Sequence, residues 1–102
     1  MLTNQWYGET CNMDSIKYTL YVSGGTIDSI EPILTKHGIN GATMTPVHGL
    51  WKGKLAYGTK IEIIEVGPHN NNAMGAAVVE LKEVLKQNCI LMTVESMQAK
   101  LL

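Results

Sequence analysis

Arginine and phenylalanine are both missing from this 102-residue chain. Without arginine there is no planar guanidinium to grip phosphate or guanine through two parallel hydrogen bonds, and every basic side chain is a lysine. The formal net charge is −1. Charge of that sign and size excludes electrostatically driven binding to duplex nucleic acid. Cysteine is scarce as well. Cys11 and Cys89 are far apart in sequence and have no neighbouring ligand types, which excludes a cysteine-rich metal cluster or a disulfide framework. They read as reduced thiols of a cytoplasmic protein, with a disulfide between them as the alternative. No apolar run approaches the roughly 18–20 residues of a membrane span. Residues 1–6 show neither the basic start nor the apolar core of a signal peptide.

What is present suits a small folded domain. Hydrophobic residues make up 45% and charged residues 17%, enough for one core and too apolar for wholesale disorder. Residues 1–15 show no period and form an expected N-terminal arm, whose Trp6 and Tyr7 could pack on a neighbouring subunit. Residues 16–22 alternate and are rich in β-branched and aromatic side chains, so they read as a strand. Ile27, Ile30, Ile33 and Leu34 follow helical spacing, with Gly38 just past the end. Pro32 fits that helix if Asp28 or Ser29 caps it. Residues 42–48 read as a second strand, held to a sheet edge by Pro46, and residues 49–54 read as a loop. Residues 57–66 form a third strand, 73–87 a second helix with Asn72 as cap, and 90–96 the last strand. Residues 98–102 are a short tail, so the domain proper is expected over 16–97.

The order is β-α-β-β-α-β. Right-handed crossovers place both helices on one face of a four-stranded antiparallel sheet, an α+β, ferredoxin-like arrangement. The other face would carry Thr19, Tyr21, Thr43, Thr45, Ile64 and Val66. That set is too apolar for full solvation and predicts self-association through the sheet.

Residues 36–51 hold a pattern of Gly38, Ile39, Gly41, Thr43 and Gly49. In it a helix ends in Gly-Ile-x-Gly-x-Thr, and the strand that follows runs toward a loop beginning at glycine. This resembles PII signalling proteins and their PII-like relatives, and the element order on both sides agrees. The chain also looks like short ferredoxin-like proteins of bacteriophages. The resemblance implies a homotrimer with ligand sites in the clefts between subunits, many relatives binding adenine nucleotides. The second-to-third strand connection is much shorter here than the long interaction loop of PII proteins, and their arginine-bearing phosphate signature is absent.

Candidate ligand-binding residues fall in two places. Gly24, Gly25 and Thr26 lie between a strand and a helix, where backbone N–H groups can turn toward an anion; an ordinary tight turn has the same composition. His48, Trp51, Lys52 and Lys54 surround the connection between strands two and three, where charge and stacking could close over a phosphorylated ligand. The competing reading there is a solvated hairpin whose lysines discourage edge pairing. His37, His48 and His69 lack metal-ligand spacing, so no metal and no cofactor is expected. Cys89 precedes an apolar strand and is expected to be buried and inert. No nucleophile, base and orienting group come together in the sequence, and no enzyme is expected.

The sequence therefore predicts a non-catalytic homo-oligomer that binds a small phosphorylated ligand, a nucleotide in the first instance. It would serve as a signalling sensor or as a sequestering sponge, the latter fitting a phage anti-defence protein. The alternative is a protein–protein interaction module or viral inhibitor of a host factor, using the arm at Trp6 and Tyr7.

Overall fold

The computed structural model describes residues 11–66 and 71–101. Its elements run β1 (Cys11–Ser23), α1 (Ile27–Lys36), β2 (Thr43–Trp51), β3 (Lys54–Val66), α2 (Asn71–Val84) and β4 (Leu91–Leu101). The four strands form one sheet in the order β2-β3-β1-β4, with every neighbouring pair antiparallel. This is the ferredoxin-like α+β fold expected from the sequence.

Alternation along the two central strands decides which face is buried. Tyr18, Leu20 and Val22 of β1 stand beside Ile63, Ile61 and Thr59 of β3, and all six are nearly inaccessible. Ile30, Ile33 and Leu34 of α1 and Met74, Ala77 and Leu81 of α2 close over them. Three- and four-residue spacing puts each trio on one side of its helix. Burying each leucine, isoleucine, valine or methionine of this set stabilises the fold by roughly 1.5–3 kcal/mol.

Several boundaries differ from the sequence reading. Helix α1 is capped by Thr26, whose hydroxyl accepts from the Ser29 N–H while the Ser29 hydroxyl accepts from the Thr26 N–H. That reciprocal pair satisfies two orphan donors at once and outcompetes caps at Asp28 or Ser29. Pro32 consequently lies beyond the first turn, inside the helix. Residues 49–54 are no loop. Strands β2 and β3 stay paired to Trp51 and Lys54, and Lys52 and Gly53 make the turn with φ of 49° and 75°. Two successive positive φ values match the twist of a two-residue hairpin turn. Strand β1 starts at Cys11, and β4 runs on to Leu101, paired back to it. Pro46 does lie on an edge strand. Cys89, expected in the core, is a free and exposed thiol, because it lies between the end of α2 and the start of β4. His69, Trp6 and Tyr7 lie outside the described residues.

Candidate functional site

The site grows from the place where β1 ends. Gly24 turns the chain with φ of +72°, a conformation that glycine adopts freely. Its N–H donates to the Tyr57 carbonyl at 3.4 Å. One residue on, the Gly25 carbonyl accepts from the Thr59 hydroxyl at 3.1 Å. Gly58 lies between these two anchors, against the end of β1. A Cβ there would come within 2.2 Å of the Val22 carbonyl oxygen, so only glycine lets the strands approach this closely. The turn is thus stitched to β3 on both sides before α1 begins.

An open recess of about 640 Å³ lies over this junction. The turn and first residues of α1 (Gly24, Gly25, Thr26, Ile27 and Asp28) form one wall; Pro46, Tyr57, Gly58 and Thr59 form the other. Tyr57 is 62% exposed, leaving ring surface for a ligand. The His48 ring meets Tyr57 edge-on, with centroids 4.6 Å apart and planes at 81°, a favourable aromatic geometry that steadies the tyrosine.

Electrostatically the recess is unlike a phosphate site. Asp28 contributes a carboxylate, and neither lysine nor histidine is among the lining residues. The carboxylate also offsets the positive end of the α1 dipole.

The structure brings Gly24, Gly25 and Thr26 together in the recess and places His48 behind Tyr57. It sets Lys52 and Lys54 apart, at the tip of the β2–β3 hairpin. From Gly58 to Lys54 the strand runs roughly 13 Å at about 3.3 Å per residue. Lys54 also shares its sheet face with Lys60 and Glu62, opposite to Tyr57 and Thr59, because side chains alternate along β3. Within one copy neither lysine closes over the recess. Trp51 ends β2, paired with Lys54. Tyr57, Thr59 and Asp28 escaped the sequence reading. Tyr57 was legible as an aromatic at a strand start; its place over the Gly24 turn depends on strand register.

The open sheet face carries a second, smaller hollow of about 320 Å³ beside Lys17, Thr43, Glu62 and Met97. Lys17 and Glu62 pair there at 2.8 Å. The hydrogen bond between them holds the Glu62 carboxyl below the ordinary carboxylate range and raises the Lys17 ammonium above its usual value. Around them Tyr21, Ile64, Val66, Leu91 and Met97 are exposed. The hairpin exposes more apolar surface on the opposite side, with Leu50 76% and Leu55 61% accessible. Among the described residues no cluster of three metal-ligating side chains occurs, and no helix is long and apolar enough to cross a membrane.

No protein-family profile matches this sequence, and no curated protein matches it. Solved structures do. A phage SAM lyase in complex with S-methyl-5′-thioadenosine superposes with a TM-score of 0.66 at 18% identity, over 85% of this chain and 88% of that one. The apo form of CPII, a nitrogen regulatory PII-like protein from Thiomonas intermedia K12, gives 0.60 at 16% identity, over 91% and 99%. The B. subtilis GlnK–ATP complex gives 0.59 at 20% identity, over 82% of each chain. The chain therefore has the PII-like fold that residues 38–49 resembled.

The same comparison corrects the expectation that the chain is no enzyme, because this fold carries a lyase. The physical fault lay in the criterion. A nucleophile, base and orienting group from the protein are not needed where the substrate carries its own nucleophile as well as a good leaving group.

Proposed function

We propose that copies of this chain assemble and bind an adenosyl ligand in the recess over the Gly24 turn, and that this ligand is the sulfonium S-adenosylmethionine, cleaved there to S-methyl-5′-thioadenosine. The carrying observation is the character of the lining: an exposed tyrosine ring and a carboxylate, with no cationic side chain. An adenine stacks on Tyr57, and a sulfonium or ammonium is drawn to the tyrosine face and to Asp28. A polyphosphate would meet the Asp28 charge with no lysine from the same copy to offset it. The ligands named with the superposed structures, S-methyl-5′-thioadenosine and ATP, share the adenosine moiety.

Cleavage of a sulfonium asks little of the protein. The C–S bond breaks with its electron pair going to sulfur, giving a neutral thioether, and the substrate's own carboxylate forms the new bond to carbon. No protonated acid, protein nucleophile or co-reactant is needed. The protein's part is to hold the carboxylate in line with the bond that breaks and to keep water away. The recess is open in a single copy. The exposed apolar strips on the hairpin and on the open sheet face supply the surfaces by which a second copy would close it.

A nucleotide sensor or sponge is the second reading, favoured by one observation: Lys52 and Lys54 stand at a projecting hairpin tip, from which they could reach a neighbour's recess. Calorimetry with S-adenosylmethionine, S-methyl-5′-thioadenosine and ATP separates the two, with chromatography following release of the thioether. The expected result is binding of the first two, and thioether formation faster than in protein-free buffer. Binding of ATP alone would establish the nucleotide reading instead. A chain that binds none of the three would point to the interaction module.

A further inference from the structure

We propose that Gln87 is a positioning residue for the recess, fixing the Ser23–Gly25 turn from the far end of α2; its consequence for ligand binding rests on the function proposed above. Helix α2 ends in an unusual way. Lys86 adopts φ of 55°, left-handed for a residue other than glycine, and the Gln87 N–H closes back on the Lys82 carbonyl at 2.9 Å. That reversal directs the Gln87 side chain away from its helix and onto β1.

There it engages one residue through both polar groups. Its Oε1 accepts from the Ser23 hydroxyl at 2.6 Å and from the Ser23 N–H at 3.4 Å. Its Nε2 donates to the Ser23 carbonyl at 2.8 Å and to the Leu85 carbonyl at 3.1 Å. A side-chain amide thus stands in for a strand partner at the last residue before the Gly24 turn. Ser23 is otherwise paired with Gly58 of β3, whereas its β4 side has lost its partner, since that ladder ends at Tyr21 and Leu91. The bonded geometry uses an acceptor and a donor together, which glutamine supplies and glutamate or leucine does not. A left-handed lysine carries a conformational cost, and here it immediately precedes the residue that holds Ser23.

Amide hydrogen exchange on the full chain tests this directly, with thermal melting alongside. In Gln87→Ala, the Ser23 and Gly24 amides, which donate to Gln87 Oε1 and to the Tyr57 carbonyl, should exchange about tenfold faster, the factor expected when one net hydrogen bond is lost. Leu20 and Ile61 should keep their protection. Gln87→Glu retains an acceptor for Ser23 but cannot donate, so it should loosen the same amides at neutral pH. Protection, corrected for intrinsic rate, should return on acidification as the carboxylic acid regains an O–H donor. A merely structural side chain would show no such selective recovery. Affinity for S-methyl-5′-thioadenosine should fall in Gln87→Ala only in proportion to the closed fraction lost, a smaller factor than the change in exchange. Unchanged protection at Ser23 and Gly24, or loss spread evenly over the sheet in both variants, would overturn the positioning role. A wild-type chain that binds no adenosyl ligand, while the variants still loosen the turn, would sink the function and leave the positioning role standing.

Discussion

Gly58 shows how one absent side chain sets the geometry of the recess. The strand pair β1–β3 can close at Ser23 only because nothing projects from Gly58 toward the Val22 carbonyl, where a Cβ would lie at 2.2 Å. The obstructing atom is backbone in a central strand, so relief requires the strands to part. Gly58→Ala is therefore expected to destabilise the chain by about 3 kcal/mol, the upper part of the usual range for overpacking, measured by urea unfolding. Gly25 is a milder case. A Cβ there meets the Ile30 and Leu85 side chains at 3.0 Å, and side-chain ends can move. In the sequence Gly25 read as a turn glycine or an anion contact, and Gly58 stood unmarked inside the third strand. The difference between them is a matter of what lies across the sheet, and no spacing rule contains that.

At the level of elements, helices α1 and α2 are joined at their polar edges by one carboxylate. Glu80 accepts from Lys36 at 3.0 Å and from His37 at 2.9 Å, bridging the C-terminal end of α1 to the middle of α2. The bond from Lys36, followed by that from His37, holds the Glu80 carboxyl below its ordinary value of 4.5. A carboxyl with a depressed value in the folded state stabilises that state above its unfolded value, and the contribution fades as pH falls through the depressed one. Glu80→Gln should thus lower the melting temperature at pH 7, with wild type and variant converging as the pH is taken below about 4.5. A gap that stays constant down to pH 3 would show that the pairing contributes nothing. Periodicity made both helices and all four strands legible, because one buried face per element leaves a period of 3.6 or 2 in the chain. Element ends were less so. Trp51-Lys52-Gly53-Lys54 looked like a loop because its turn uses a left-handed lysine, a conformation no composition rule assigns to that residue. The α1 cap was displaced for a related reason, since Thr26 and Ser29 satisfy each other as a pair and neither does so alone.

For the molecule as a whole, the question is what covers the surface that one copy leaves bare. The helices shield one side of the sheet. The other exposes Tyr21, Ile64, Val66 and Leu91 around the Lys17–Glu62 pair, and the β2–β3 hairpin carries Leu50 and Leu55 beyond the helices. The sequence already implied an apolar open face, because outward positions on alternating strands can be counted. It placed half of the candidate site as well, at Gly24, Gly25 and Thr26. It could not place the other half, since Tyr57 and Thr59 reach the turn through the β1–β3 register, and Asp28 through the position of the α1 cap. Nor could it show that Lys52 and Lys54 stand away from the turn, because their direction follows from a hairpin that was read as a loop. Native mass spectrometry of the chain with S-methyl-5′-thioadenosine in the buffer weighs assembly and ligand together. A closed set of identical copies retaining one adenosyl molecule per chain is the expected result. Single chains that carry none, at concentrations where the protein is folded, would contradict it.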